Sequence, residues 1–309
     1  MTTNSPKKLT TKKNLTPINR TQESITTANP SFKKFLDAGK NKNRVLTPLE
    51  RYLITKPRDT SRSTTVLHPS EMVRDDWCHR ASYFLLQGRT PAEEPSSRRS
   101  LKTQLVFGEG HAIHHQWQSW FGDMGVLYGM WKCRKCPYSF WAQSPKECPI
   151  CQHTQLDYRE VPVSSSKHWI SGNADGWIKG CGEDLLLEIK SVGEGTFRFE
   201  DKDLWYESGQ NFETAWRNLK APFLKHIMQV QVYLKLLEIM EKDGPQEAVL
   251  IYQAKPNQEV KEFIVRKSDF GIKELFDNAL AIVDAIKSQT PPPCNVKGPS
   301  LCSKCEVYP

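Results

Sequence analysis

Gly172-Asn173-Ala174-Asp175-Gly176 and Leu185-Leu186-Leu187-Glu188-Ile189-Lys190-Ser191 flank a polar, Gly-rich turn, Lys179-Gly180-Cys181-Gly182-Glu183-Asp184. Strands around Trp169–Ile178 and Leu185–Val192, joined by that turn, predict a β-hairpin. A hairpin centred between Cys181 and Gly182 sets Asp175 directly opposite Glu188, with Cβ atoms about 4.5–5.5 Å apart. Lys190, two residues beyond Glu188, projects from the same face. Two acids side by side repel unless a positive group sits between them. Their oxygen donors suit Mg²⁺ or Mn²⁺, which polarises a phosphoryl oxygen and lowers the pKa of bound water. Lys190 can orient that water or offset charge on a phosphate. A Glu-x-Lys triplet alone carries no such meaning; the matching Asp and the Leu-Leu-Leu run give it one.

Outward from the hairpin, a lead strand is expected near residue 160. Helices are expected from Ser70, as N-cap, through Cys78 to Leu86, and over 104–121, 203–219, 223–242 and 270–287. The spacing of Phe223, Ile227, Val230, Leu234, Leu237 and Met240 makes the fourth the strongest of these. Residues 247–254 and 259–266 read as strands. The resulting class is α/β.

Nine cysteines include three CxxC pairs, and the first thirty residues lack an apolar secretory signal. This usage points to metal ligation rather than disulfides, in an intracellular, cytoplasmic protein. Cys133-x2-Cys136-x11-Cys148-x2-Cys151 matches a tetrahedral zinc ribbon over 131–153. Trp131, Tyr138, Phe140 and Trp141 read as its small core, and Lys132, Arg134 and Lys135 as phosphate contacts; stacking on single-stranded nucleic acid is the other reading of the aromatics. Cys294-x7-Cys302-x2-Cys305, in a C-terminal cluster over 291–309, needs a fourth ligand, for which Cys78 is the candidate. Cys181 has no assigned role.

The chain has 309 residues and 38% apolar composition, which excludes full disorder and allows one large domain or two modest ones. Residues 1–62 hold 14 Lys/Arg and 4 Asp/Glu, so the net charge of +8 belongs to the N-terminus. Residues 1–65 read as a basic, largely disordered arm, with a short amphipathic helix at Leu49, Tyr52 and Leu53; a polyanionic partner or a solvated tail are its two readings. Residues 66–309 form the main domain. No apolar run is long enough for a membrane helix, so no membrane partner is expected.

The D-x12-E-x-K pattern resembles the PD-(D/E)xK nuclease superfamily. Gly110-His111-Ala112-Ile113-His114 and Gln229-Val230-Gln231-Val232-Tyr233 resemble the GxxxH and QxxxY motifs of its RecB-like exonuclease branch. The resemblance implies a restriction-endonuclease-like mixed sheet flanked by helices, with the zinc ribbon as an insertion. It implies that His114, Asp175, Glu188 and the Ile189 carbonyl hold Mg²⁺ or Mn²⁺, His111 and His115 having weaker claims, and that Lys190 assists the attacking water. Gln229 and Tyr233, with His226 one turn earlier, would position the DNA strand. One cysteine before the nuclease core and three after it resemble the iron-staple nucleases, including the AddB nuclease domain and CRISPR-adaptation nucleases of RecB type. This implies a 4Fe–4S cluster on Cys78, Cys294, Cys302 and Cys305, with zinc as the alternative because the longer gap here comes first. The expected activity is a metal-dependent DNA exonuclease acting on ends or single strands in recombination, repair or replication, in a cell or encoded by a phage, with a helicase or recombination protein as a possible partner. The alternatives are a structure-specific endonuclease and a non-catalytic zinc-ribbon nucleic-acid-binding module.

Overall fold

The computed structural model describes residues 44–57, 63–89, 100–240 and 243–295. Its helices before the sheet are α1 (Leu46–Thr55), α2 (Pro69–Met72), α3 (His79–Leu86) and α4 (Leu101–Asp123). Strands β1 (Leu127–Cys133), β2 (Ser139–Gln143), β3 (Leu156–Tyr158), β4 (Val161–Ser165), β5 (Ile170–Ala174), β6 (Gly176–Ile178) and β7 (Leu185–Val192) follow. Then come α5 (Glu194–Glu200), α6 (Lys202–Glu207), α7 (Phe212–Asn218), α8 (Leu224–Ile239), β8 (Glu247–Ala254), β9 (Val260–Arg266) and α9 (Ile272–Lys287). The expected arm of residues 1–65 lies mostly outside the described residues, as do Cys302 and Cys305. Helix α1 belongs to one compact unit, Met1–Thr55, and buries none of its residues; everything from Lys56 onward is a second unit.

The main sheet runs β2-β1-β6-β7-β8-β9, with β3 also on β1. The β7–β8 pair is parallel and the others antiparallel, so the sheet is mixed as expected. Alternation along β7 decides what each face meets. Leu187 and Ile189 join Val249 and Ile251 against Ile113 of α4. Leu186 and Val192 join Leu250 and Tyr252 in the larger core with Val230, Leu234 and Leu237 of α8. Helix α8 is apolar nearly all round and buries almost every residue from Gln229 to Leu237, as a helix enclosed on all sides must.

The hairpin has the expected register, Gly176↔Leu187, Trp177↔Leu186 and Ile178↔Leu185, and the pairing stops one residue short of Asp175 and Glu188. The strand over Trp169–Ile178 is however split. Strand β5 pairs with β4 in a separate two-stranded sheet, and β6 alone enters the main sheet. The helix expected over Ser70–Leu86 is also two. His68, not Ser70, is the first N-cap, followed by Pro69; Cys78 caps α3 by accepting from the Ala81 amide. Between them Arg74 pairs with Asp76, and Lys225 reaches Asp75, so the acidic pair is spent in a turn. Residues 203–219 likewise divide between α6 and α7, where Asp201 and Asn211 act as caps.

Two histidines are built into the core of this fold. His168 bonds Ser165 Oγ at 2.7 Å and packs edge-on against Phe276; His226 Nδ1 meets Tyr252 Oη at 2.5 Å. Burial holds both below the ordinary histidine value, helped by Lys167 at His168 and by Lys190 and Lys225 at His226. Below about pH 6.5 the unfolded chain therefore binds protons that the folded chain resists, so stability falls with acidification by up to about 1.4 kcal/mol per pH unit for each histidine. Thermal unfolding of the wild type and of His226→Gln at pH 7.5 and pH 5 should show a narrower gap between the two pH values in the variant.

Candidate functional site

Asp175 stands where the chain leaves one ladder at Val161↔Ala174 and enters the next at Gly176↔Leu187. Its carboxylate turns onto β7: Oδ2 accepts from the Ile189 amide at 2.6 Å, and Oδ1 lies 3.0 Å from His114 Nδ1 on α4. Gln118, one turn beyond His114, donates to the Asp175 carbonyl at 3.0 Å. Gly176, the next residue, lies close to its neighbours: a Cβ there would sit 2.7 Å from Leu127 Cδ1, which would have to shift. Desolvation lowers the His114 pKa, but the Asp175 hydrogen bond and charge more than reverse it and leave it raised.

Glu188 is 3% exposed. Its Oε1 lies 2.7 Å from Lys190 Nζ and accepts from Gln229 Nε2 at 3.0 Å. Lys190 Nζ also donates to Gln229 Oε1 at 2.9 Å, and Gln229 Nε2 to Tyr233 Oη at 2.9 Å. Glu188 Oε2 is buried with no hydrogen-bond partner. Burial pushes this carboxyl up to about 7; Lys190 opposes the shift and Asp175 adds to it. A buried acceptor left unpaired costs roughly 1–3 kcal/mol, which a bound cation would offset.

The structure thus builds two hydrogen-bonded groups, His114 with Asp175 and Glu188 with Lys190, Gln229 and Tyr233, which meet along β7 where Asp175 takes the Ile189 amide. His226 is turned away onto Tyr252. Gln229 and Tyr233 are 6% and 5% exposed, so they underlie the carboxylates rather than present a surface. The middle of helix α8 is buried on nearly every side, and the polar side chains there, Gln229, Gln231 and Tyr233, must find partners inside. Two neighbours escaped sequence reasoning. Gln118 could have been found, since it lies i+4 from His114 on one helical face. Glu160 precedes β4 at φ +61°, in the left-handed region, and nothing in its local sequence marks it. Its carboxyl is pushed up by burial and by the Asp175 charge, and Gln118 and Asn173 hydrogen-bond it.

The four ribbon cysteines converge. Their Sγ atoms all lie within 4.8 Å of one another, with Cys133–Cys151 at 3.5 Å, Cys136–Cys148 at 3.7 Å and Cys136–Cys151 at 3.6 Å. Thiolates about 2.3 Å from a tetrahedral zinc stand roughly 3.8 Å apart, so the set fits that ion. The Cys136 and Lys135 amides both donate to Cys133 Sγ. The ribbon is not a separate body. Strand β1 pairs with β6 at Leu127 and Tyr128, then with β3 from Trp131 to Cys133, and with β2 along its other edge.

Asn295 clasps the turn that carries Cys78. Its Oδ1 accepts from the His79 amide and its Nδ2 donates to the Trp77 carbonyl, each at 2.9 Å. Arg80 adds a bond to the Pro292 carbonyl at 3.2 Å. Cys78 is buried and Cys294 exposed.

No protein-family model matches the chain, and no curated protein matches it significantly. Among solved structures it is similar to SSO0001, with 14% identity, 81% of this chain and 89% of that chain covered, and a TM-score of 0.38. It is similar to LHK-Exo in complex with dAMP, with 10% identity, 73% and 90% coverage and a TM-score of 0.38. The alkaline exonuclease LHK-Exo from Laribacter hongkongensis gives 11% identity, 73% and 90% coverage and a TM-score of 0.35.

Elemental analysis of the purified chain should find zinc, and Cys148→Ser, at a fully buried ligand position, should lose it together with several degrees of thermal stability. A variant that matches the wild type in both would exclude the zinc assignment.

Proposed function

We propose that this chain is a metal-dependent DNA nuclease of the PD-(D/E)xK type, acting as an exonuclease on DNA ends or single strands. One observation carries the reading: Glu188 is buried with an unpartnered Oε2, beside Asp175, while a lysine amine lies 2.7 Å from its other oxygen. A buried acid with one unpartnered oxygen, beside a second acid and a held ammonium, has little structural use, whereas phosphodiester hydrolysis needs each part.

His114, Asp175, Glu188 and the Ile189 carbonyl would hold Mg²⁺ or Mn²⁺. When bound, such an ion polarises the phosphate and makes water a stronger nucleophile. The remaining work falls to the protein. Lys190 supplies positive charge against the oxygens of the attacked phosphate and holds the water that attacks it. Gln229 fixes Lys190 relative to Glu188 by bonding both. Tyr233 holds the Gln229 amide in turn. Ile189 and Gln118 lock Asp175 through its carboxylate and its carbonyl. The ribbon holds zinc. A 4Fe–4S cluster on Cys78, Cys294, Cys302 and Cys305 is supported by the Asn295 clasp, which returns the C-terminal segment to the Cys78 turn.

Protein prepared anaerobically should cleave end-labelled linear DNA when Mg²⁺ or Mn²⁺ is added and spare closed circular single strands. Lys190→Ala should lower the rate roughly 10²–10⁴-fold. Gln229→Ala should cost less. Absence of cleavage by the wild type with either cation would overturn the proposal, and cutting of closed circles would replace exonuclease by endonuclease. The visible spectrum of the same preparation reads the cluster: a brown chromophore lost in Cys78→Ser is expected, and a colourless, zinc-loaded protein would assign that set to zinc.

A further inference from the structure

A cleft of about 550 Å³ lies between α4 and the zinc ribbon, outside the carboxylate cluster. Gln118 and Gly122 line it from the helix, Trp131 and Tyr158 from β1 and β3, and Arg134 and Arg159 from the residues just after those strands. That volume is in the range of pockets that enclose one small ligand, so it admits a nucleotide or two but not both strands of a duplex. Its chemistry is sorted. The Trp131 and Tyr158 rings lie against each other with centroids 4.9 Å apart. Arg134 and Arg159 stand on the same wall, half-exposed, both drawn to the Asp157 carboxylate at 2.7 and 3.4 Å. Asp157 binds Arg134 through Nε, and the Arg134 side chain remains half-exposed. Aromatic faces with forked cations beside them are the means by which proteins hold bases and phosphates of a single strand.

The position of the cleft ties it to the site. Gln118 is part of its wall and also donates to the Asp175 carbonyl. His115, on the same wall, adjoins His114. A strand whose phosphate sat at the carboxylates would lead directly into this space.

We infer that the cleft between α4 and the ribbon is a single-strand binding channel, which seats the nucleotide next to the scissile phosphate and takes its backbone onto Arg134 and Arg159. The ribbon is then a wall of the substrate channel as well as a folded metal site. This inference deepens the nuclease reading and rests on it for its link to cleavage.

Binding can be read apart from cleavage. A fluorescently labelled oligothymidylate, and the same length as a duplex with its complement, are titrated by anisotropy over a salt series without added divalent cation. The full-length wild type is compared with the Arg134→Gln/Arg159→Gln double variant and with Gly122→Trp. Gly122 is helical, and a Cβ there meets nothing within 4 Å, so the indole would fill the cleft without disturbing the backbone. Retained zinc and unchanged circular dichroism certify folding. The double variant should weaken single-strand binding at least tenfold and lower the salt slope by about 1.4, at about 0.7 for each phosphate that is no longer neutralised. Gly122→Trp should weaken binding to the single strand more than to the duplex. Unchanged affinity and slope in the double variant overturn the channel, as does a Gly122→Trp protein that binds like the wild type. Wild-type cleavage measured alongside separates the two claims: a wild type that cuts DNA while both variants bind normally refutes the channel alone. A wild type that binds through these residues but never cuts refutes the nuclease reading alone.

Discussion

The hydrogen bond from the Ile189 amide to Asp175 Oδ2, at 2.6 Å, is the contact on which the site depends. Asp175 belongs to neither ladder, since β5 has finished pairing and β6 has not begun. A residue at such a seam would ordinarily wander. Here one carboxylate oxygen is taken by β7 and the other by α4, while the carbonyl is taken by Gln118. The seam is therefore welded to both the sheet and the helix that covers it. Everything else in the cluster is measured from β7, because Glu188 and Lys190 stand on that strand and α8 packs over their face.

How much of this could be read from residues alone follows from how local the determinants are. The register of the hairpin depends on turn length and alternation, and the pairing of Gly176 with Leu187 agrees with the expectation. Strand β8 and helix α8 are long, strongly patterned segments, and their bounds in the structure differ little from those expected. The break at Asp175 has a local mark, the strand-poor run Gly172-Asn173-Ala174-Asp175-Gly176, but the apolar residues on either side read as one strand, and the separate pairing with β4 reveals the seam. The division of the Ser70–Leu86 segment turns on whether Asp75 and Asp76 find partners, and one of those, Lys225, lies far along the chain. Glu160 is brought to Asp175 by tertiary packing alone.

The sequence motifs name residues that meet in the fold without saying which surface those residues present. Gln229 and Tyr233 share a helical face as their spacing requires, yet that face looks into the protein. The Gln229 amide closes a hydrogen-bonded ring with Glu188 and Lys190, and also donates to the Tyr233 hydroxyl. A pattern of residue types records which groups meet; it does not record which side of them water occupies. The space next to the cluster is instead bordered by Gln118 and by ribbon residues.

Strand β1 has a double allegiance. At Leu127 and Tyr128 it is a strand of the main sheet, and by Cys133 it is a cysteine-bearing strand of the ribbon, with no intervening linker. Gly129 lies at the crossing, where a Cβ would meet Tyr158 Oη at 2.6 Å and the Glu160 carbonyl at 2.7 Å. The cysteine knuckles are consequently not a detachable cassette. They could not be excised, grafted onto another scaffold or swapped for a loop without cutting into the sheet. In lineage terms, a ribbon joined this way is constrained to diverge together with the sheet that carries it.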